Sequence, residues 1–257
     1  MILKNKIGIL GCGIVGGANK KVFKKFGFEV NVHDTKLNTQ VKTLHSSDIL
    51  IFCLPTPTLK NGECDTSKIT YYLKYFNNIK FKGIIVIRST VLPGFTVHAQ
   101  KVFKNLKICY SPEFLRDKYA YKDLLHSKFL PIGTTNKSVF EICKKIHQPF
   151  VKKIVKVHPT EAEIIKYSNN LIACNKIIFA NIISYIAKLN KCDYKKIKKG
   201  MVDLGRFADN YLEVDKNHKG FGGKCLPKDI KSFSKYCDNN KANFQLFKAI
   251  MDDNKKF

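Results

Sequence analysis

The sequence feature that most constrains the fold is a glycine-rich turn between two apolar segments near the beginning of the chain. Residues 6–10 are a short apolar run, and the turn GCGIVG at residues 11–16 leads into a helical pattern. A second apolar segment, residues 28–32, is followed closely by Asp34. This order of strand, glycine turn, helix, strand and acid is typical of parallel α/β sheets that bind dinucleotides.

Each glycine of the turn has its own task in such a unit. Gly11 permits the tight turn, Gly13 lets the backbone approach a pyrophosphate, and Gly16 lets the helix pack against the strand. The helix N-terminus then faces the phosphates, while Asp34 binds the ribose hydroxyls and repels a 2′-phosphate. We therefore predict NAD as the cofactor, the alternative being a glycine turn in another kind of α/β domain. The cofactor-binding residues predicted here are Gly11, Cys12, Gly13, Ile14, Val15, Gly16 and Asp34.

Three later strand ends also carry polar residues. The predicted strands and the turns after them are residues 48–54 with PTPT, 82–88 with STVLPG and 106–110 with SPEFLRD. Ligand groups of an open parallel sheet come from the carboxyl ends of its strands. One such turn could be ordinary loop chemistry, but three in succession indicate a ligand-binding edge. Only about a dozen residues separate Asp34 from the first of these strands, too few for a full crossover helix.

The second half of the chain begins with a long helical pattern, residues 161–189. Thr160 and Glu163 have the spacing of a capping box at its N-terminus. Lys166 and Asn170 are four residues apart and share one face of this helix. They form either a solvated polar pair or a pair that points into a cleft.

A cysteine follows glycine-rich backbone in the sequence GFGGKCLPKD, residues 220–229. Pro227 suits the first turn of a helix, because the N–H that proline lacks has no helical partner there. Cys225 would lie beside that helix N-terminus and beside Lys224 and Lys228, conditions that favour a nucleophilic thiolate. The alternative is a buried structural cysteine next to a glycine turn.

Composition narrows the partners and the compartment. The formal net charge is +26, and nearly all of it is lysine spread along the chain. Such a surface attracts phosphorylated ligands, but we expect no specific nucleic-acid partner. The nine cysteines contain no C-x-x-C pair, so we expect no metal site and reduced thiols in a cytoplasmic protein. We see no leader in the first six residues and no apolar run long enough for a membrane.

Six segments together resemble the UDP-glucose/GDP-mannose dehydrogenase family. In chain order they are GCGIVG, CLPTPT, STVLPG, SPEFLRD, EAEIIKYSNN and GFGGKCLPKD, within residues 7–230. The resemblance implies an α/β fold with a Rossmann-type, mostly parallel sheet that binds NAD, in residues 1–157. It implies that residues 158–257 form a helical, 6-phosphogluconate-dehydrogenase-like dimerisation domain that carries the catalytic cysteine. It also implies a homodimer that oxidises a sugar nucleotide twice at C6.

The resemblance assigns a role to each matched residue. Cys225 would form a thiohemiacetal and then a thioester with the substrate, and Asp229 would orient or activate water. Lys166 and Asn170 would bind the hexose and steady an oxyanion, and Glu113 would assist the attack of water on the thioester. Four residues are implied to contact NAD, namely Thr56, Thr90, Asp117 and Lys228. Thr90 would also touch the catalytic water. The other implied substrate contacts are Phe114, Leu115, Arg206 and Gly222.

The sequence departs from the family pattern in three ways. Asp117 stands where glutamate is usual, and Thr39 falls where a basic residue is expected. The chain ends within what resembles the dimer-forming helix, so we expect the family's nucleotide-gripping third domain to be lacking or supplied by a separate chain. We predict oxidation of UDP-glucose to UDP-glucuronate. The alternatives are a GDP-mannose dehydrogenase, an NAD-binding homologue without turnover of its own and a lysine-rich nucleic-acid binder.

Overall fold

The computed structural model describes residues 5–215 and 219–257, and it divides into two compact units. The first unit contains residues up to Pro57 and Cys64–Lys166, and the second contains Thr58–Glu63 and Tyr167–Phe257. Most of the segment in which we see no leader, residues 1–4, lies outside the described residues. The functional division at residues 157 and 158 stays a prediction.

The first unit is built on a seven-stranded sheet. Its strands are β1 (Lys6–Leu10), β2 (Glu29–His33), β3 (Ile49–Phe52), β4 (Ile84–Ile87), β5 (Lys107–Tyr110), β6 (Ser127–Gly133) and β7 (Val151–Val157). The spatial order is β2-β1-β3-β4-β5-β6-β7, and every pair is parallel except β5 with β6. The predicted Rossmann-type, mostly parallel sheet is thus confirmed. The chain passes from β1 to β2 on one side and then to β3 on the other, which creates a topological switch point at β1.

Helices cover both faces of this sheet. They are α1 (Ile14–Lys25), α2 (Ser67–Asn78), α3 (Phe95–Val102), α4 (Ala120–Leu125), α5 (Lys137–His147) and the start of α6 (Pro159–Leu189). Two short 3₁₀ helices, Thr35–Leu37 and Val41–Leu44, replace a crossover helix between β2 and β3, as the short connection predicts. All four residues of β3 and of β4 are buried, as expected for central strands covered on both faces.

Alternation along the strands divides the apolar core into two layers. Ile51 and Val86 pack with Phe23 of α1 on one face of the sheet. Phe52 and Ile87 pack with residues of α2 and α3 on the other face. Because helices cover both faces of the sheet, polar side chains of the sheet gather at the strand ends, where the predicted ligand-binding edge lies.

The second unit is helical. Besides most of α6 it contains α7 (Tyr194–Asp203), α8 (Leu226–Asn239) and α9 (Leu246–Asn254). The 31-residue α6 is long and apolar enough to cross a bilayer, by length and composition alone. The apolar runs of the sequence predict no such span. Helix α6 is a core helix, since Ala173 and Ala180 are fully buried and Asn170 and Asn181 place polar side chains in the protein interior.

The predicted capping box of Thr160 and Glu163 is wrong. Helix α6 begins at Pro159, and the Glu161 carboxylate accepts a hydrogen bond from the His158 backbone N–H at 2.6 Å. Glu163 lies further into the helix and is fully buried. Its carboxylate therefore serves another helix, as described below.

Candidate functional site

The glycine turn of the first unit has the geometry of an anion cradle. Gly11 has φ +87°, and a Cβ there would lie 2.6 Å from the Cys53 carbonyl oxygen. Gly16 packs against the carbonyl group of Gly11, so that α1 sits directly on the turn. A Cβ at Gly13 would meet nothing within 4 Å, which leaves the approach to the N-terminus of α1 open. That terminus has neither a side-chain cap nor an acidic residue in its first turn, so its N–H groups face outward for a phosphate.

Asp34 is fastened to this turn. One carboxylate oxygen accepts the Cys12 backbone N–H at 2.5 Å, and the other accepts the Lys36 N–H at 2.8 Å. The hydrogen bond from Cys12 lowers the pKa of Asp34 below its ordinary value, so the carboxylate is charged at neutral pH. Each oxygen keeps a lone pair for a ribose hydroxyl. Together with the open glycine turn, this arrangement fits the adenosine end of NAD.

The hydroxyls predicted at the ends of β3 and β4 bond the backbone of the neighbouring strand end. Thr56 donates its side-chain hydrogen bond to the Thr90 carbonyl oxygen at 2.8 Å. Ser89 accepts from the Leu54 N–H at 2.8 Å and donates to the Phe52 carbonyl oxygen at 3.2 Å. These bonds tie the two turns into one edge. The Thr56 hydroxyl donates inward, so any contact it makes with NAD has to use its lone pairs.

A buried ion pair links the turn after β5 to helix α6. Lys166 Nζ lies 2.9 Å from the Glu113 carboxylate and donates a further bond to the Glu113 carbonyl oxygen at 2.7 Å. The other carboxylate oxygen of Glu113 accepts the Leu115 N–H at 2.6 Å. Lys166 Nζ also lies 5.6 Å from the centre of the Phe114 ring. The four residues Glu113, Phe114, Leu115 and Lys166 are therefore one cluster, in which a buried cation and a carboxylate neutralise each other.

The adjacent acid does not join this cluster. Asp117 is exposed at the start of a 3₁₀ helix, Asp117–Tyr119. Arg116, the residue before it, makes a two-pronged pair with Asp123 at 2.7 and 3.0 Å. The predicted contact of Asp117 with NAD stays a prediction.

Cys225 occupies the N-cap position of α8 and is exposed. Pro227 follows in the first turn, where its missing N–H is no loss. Gly220 and Gly223 ahead of the cysteine have φ of +67° and +77°, which glycine adopts without strain. Gly222 is exposed, and a Cβ there would meet nothing within 4 Å. The sequence therefore places an accessible thiol at a helix N-terminus, where the partial positive charge stabilises a thiolate.

One turn into α8, a carboxylate is held by an amide and an ammonium group. Asp229 is 1% exposed and accepts a hydrogen bond from Asn170 Nδ2 at 2.6 Å. The Lys228 ammonium pairs with its other carboxylate oxygen. Thr58 donates to the Lys228 carbonyl oxygen at 3.2 Å and so fixes the backbone between Lys228 and Asp229. Asn170, Lys228 and Asp229 thus form a second cluster, which lies in the second unit.

A second thiol lies below the start of α8. Cys174 on α6 donates a weak hydrogen bond to the Leu226 carbonyl oxygen at 3.9 Å. Burial raises the pKa of Cys174 to about 12, so this thiol stays protonated at neutral pH. Cys225, by contrast, is exposed. Helix α6 thereby supplies Lys166 to one cluster and Asn170 to the other, one turn later.

Two predicted substrate contacts, Gly222 and Arg206, lie outside both clusters. Arg206 is exposed in the irregular segment after α7. Its predicted contact with the substrate of a neighbouring subunit stays a prediction.

Two buried charged groups escape sequence reasoning. Glu163 accepts the Gly94 N–H at 2.6 Å and the Thr96 N–H at 2.8 Å, and so caps the N-terminus of α3 from outside that helix. Arg88 at the end of β4 donates to His147 Nε2 at 2.7 Å, and burial lowers the pKa of His147 to about 3. A lone arginine after an apolar strand is the signal that could have indicated the second pair.

Two models of one protein family match this sequence. The UDP-glucose/GDP-mannose dehydrogenase family, NAD binding domain, matches residues 31–151, and the central domain of the same family matches residues 160–256. The glycine turn lies just before the first matched range.

Named relatives and a solved structure agree with this match. UDP-glucose 6-dehydrogenase TuaD of Bacillus subtilis is 30% identical over 242 residues, which are 89% of this chain and 51% of that protein. GDP-mannose 6-dehydrogenase of Pseudomonas syringae is 26% identical over 234 residues, 83% of this chain and 52% of that protein. A UDP-glucose dehydrogenase structure from Pyrobaculum islandicum superposes with a TM-score of 0.90 at 21% identity, covering 99% of this chain and 69% of that one. The chain thus spans about half the length of these curated relatives, and the superposition shows a shared fold.

Proposed function

The chain belongs to the UDP-glucose/GDP-mannose dehydrogenase family, and from that premise we propose that it oxidises UDP-glucose to UDP-glucuronate. The position of Cys225 carries this proposal, because an exposed thiol at a helix N-terminus is equipped to attack a carbonyl carbon. Family membership makes NAD the cofactor. The sugar, the nucleotide and the use of Cys225 are parts of the proposal.

NAD, when bound, accepts one hydride in each of two oxidations, so that two NADH form per sugar. The residues that would hold it are the glycine turn with its open N–H groups and Asp34 with its spare lone pairs. A 2′-phosphate would meet the charge of the Asp34 carboxylate, which supports NAD over NADP. We also assign Thr56 and Thr90, which follow the ends of β3 and β4, to cofactor binding.

In the proposed sequence, Cys225 Sγ holds the sugar between the two oxidations. After the alcohol has become an aldehyde, the thiolate adds to the carbonyl carbon and the new alkoxide takes up a proton, giving a thiohemiacetal. The second oxidation converts this group to a thioester. Water then adds to the thioester carbon, the C–S bond breaks, and Cys225 leaves as a thiolate while the sugar carboxylate is released.

The two clusters supply the charges that these steps need. Asp229 can accept a proton from water through its carboxylate, while Asn170 and Lys228 fix its orientation. Lys166 can stabilise an alkoxide with its ammonium group, and Glu113 keeps that cation in place and can assist water. We assign Phe114 and Leu115 to the wall of the sugar pocket.

Two alternatives rest on specific observations. A GDP-mannose 6-dehydrogenase is also among the relatives, so GDP-mannose is the second candidate substrate. The chain spans about half of its curated relatives, so a protein that binds NAD and turns over only with a further domain is the other candidate.

The test is NADH formation by the purified chain with NAD and either UDP-glucose or GDP-mannose. We expect two NADH per molecule of UDP-glucose and a loss of at least a hundredfold in Cys225→Ser. Cys192→Ser is the matched control, because Cys192 is likewise exposed but lies in the turn after α6. Activity with GDP-mannose alone would replace the substrate. NAD binding without NADH from either sugar would refute turnover by this chain.

An exposed apolar stripe on α6 supports a homodimer. Ile172, Phe179 and Ile186 follow each other at seven-residue intervals and are 59%, 47% and 46% exposed. Residues two turns apart lie on one helix face, and a second copy of this face would cover them. We expect sedimentation at twice the chain mass, and a monomer in Phe179→Lys.

A further inference from the structure

The backbone ahead of Cys225 is held by two asparagine side chains from other helices of the second unit. Asn254, the last residue of α9, accepts the Phe221 N–H at 2.6 Å and donates to the Phe221 carbonyl oxygen at 3.0 Å. Asn181 on α6 accepts the Gly220 N–H at 3.2 Å. The Phe221 side chain is buried, and so is Asn181. Residues 220 and 221 are thus fixed at three backbone atoms.

Gly220 is shaped to the Asn254 amide. Its φ is +67°, and a Cβ on it would lie 2.5 Å from Asn254 Oδ1. Any side chain at this position would therefore displace the amide that binds Phe221. The glycine serves this contact as well as the turn.

The start of α8 is fixed separately, by the bond of Asn170 to Asp229 and by the weak bond of Cys174 to Leu226. Between the two anchors, residues 222–225 are all exposed. A Cβ on Gly222 or Gly223 would meet nothing within 4 Å, so the two glycines of this short segment lie in open space. Cys225 itself belongs to α8, because its carbonyl oxygen accepts the Asp229 N–H at 2.9 Å.

We propose that Asn254 is a positioning residue for Cys225: it fixes the upstream end of the segment and so keeps the thiol at the N-terminus of α8. The inference rests on the proposed function of Cys225 as the nucleophile. When the upstream anchor is lost, residues 222–224 take up a wider range of paths into α8. The thiol then spends less time beside the helix N–H groups that favour its thiolate.

The test compares Asn254→Ala with the parent chain in two independent assays. Iodoacetamide labelling followed by peptide mass spectrometry measures the reaction of Cys225, with exposed Cys192 in the same chain as an internal reference. Loss of the paired hydrogen bonds should slow the labelling of Cys225 about fivefold at neutral pH and leave Cys192 unchanged. In the NADH assay, kcat should fall by a similar factor while the KM for NAD stays constant.

Asn254→Asp separates positioning from a loss of folding. The aspartate keeps an acceptor for the Phe221 N–H and loses the donor, so it should recover part of the labelling rate that alanine loses. Asn190→Ala is the matched control, because Asn190 also bonds a backbone carbonyl at the end of a helix, that of Ile186 at 2.9 Å. It should label and turn over like the parent.

A double-mutant cycle tests the contact itself. Gly220→Ala should slow Cys225 labelling less in the Asn254→Ala background than in the parent, because only the backbone strain of alanine at φ +67° remains once the amide is absent. Unchanged or faster Cys225 labelling in Asn254→Ala, or additive effects in the cycle, would overturn the proposal. If the parent forms no NADH, the proposed function fails while the labelling still decides the role of Asn254.

Discussion

Two neighbouring glycines of α1 give a sharp test of how the glycine turn is packed. A Cβ on Gly16 would overlap the carbonyl oxygen of Gly11 and lie 2.9 Å from its carbon and 3.3 Å from Ile9 Cγ2. A Cβ on Gly17, one residue later, would have the Cys12 carbonyl oxygen as its nearest neighbour, at 3.9 Å. The same substitution therefore meets backbone at one position and open space at the other.

The expected sizes follow from this contrast. Gly17→Ala should stabilise the first unit by about 0.5–1 kcal/mol, since alanine favours a helix over glycine. Gly16→Ala gains the same propensity but has to push α1 away from the turn by roughly 1 Å, and such overpacking costs about 1–3 kcal/mol. Buried Phe23 and Val22 on the same helix would lose contact with the sheet. We expect Gly16→Ala to unfold about 2 kcal/mol more easily than Gly17→Ala.

Urea unfolding followed by far-ultraviolet circular dichroism measures this difference, since the chain has no tryptophan for fluorescence. Calorimetric titration with NAD is the second readout, because a displaced α1 moves its N–H groups away from the pyrophosphate site. Gly17→Ala should bind NAD like the parent. Equal free energies of unfolding for the two variants would refute the packing of Gly16 against Gly11.

Two further predictions concern buried charges. Lys166→Met leaves the Glu113 carboxylate without its cation and should lower the unfolding free energy by about 3 kcal/mol. Adding Glu113→Gln to that variant should restore a part of this loss. Urea unfolding of the two single variants and the double variant measures the coupling, and additive effects would contradict the pairing. Burial raises the pKa of Glu163 above its ordinary 4.5, so the native chain keeps a proton that the unfolded chain releases, and the unfolding free energy should fall as pH rises from 4.5 through the folded-state pKa. Glu163→Gln should lack this component, and parallel pH curves for parent and variant would exclude it.

Local sequence patterns were sufficient to predict the sheet and its glycine turn. The apolar runs before Gly11 and Asp34 identify β1 and β2, and the glycine spacing already indicates the close packing of Gly16. The spacing of Lys166 and Asn170 predicts a shared helix face, but it leaves open whether that face is solvated. The structure gives each a carboxylate partner, Glu113 and Asp229 respectively.

Contacts between distant parts of the chain were beyond these patterns. Asn254 and Phe221 are 33 residues apart, and no periodicity connects an asparagine at a helix end to a loop backbone. Glu163 fits a capping box by spacing, yet its carboxylate serves Gly94 and Thr96, 67 or more residues earlier. The local preference of Glu163 for a capping box is overridden by a tertiary contact, because the N–H groups at the start of α3 need a buried acceptor.

Helix α6 decides where the chain can be recombined. Its first two turns belong to the sheet-bearing unit, where Glu163 caps α3 and Lys166 neutralises Glu113. A chimera joined ahead of Pro159 would inherit a foreign start to this helix and with it foreign partners for both contacts. A junction after Lys166 keeps them native. Exchange of the helical unit between homologues should therefore succeed at a seam inside the helix and fail at the loop before it.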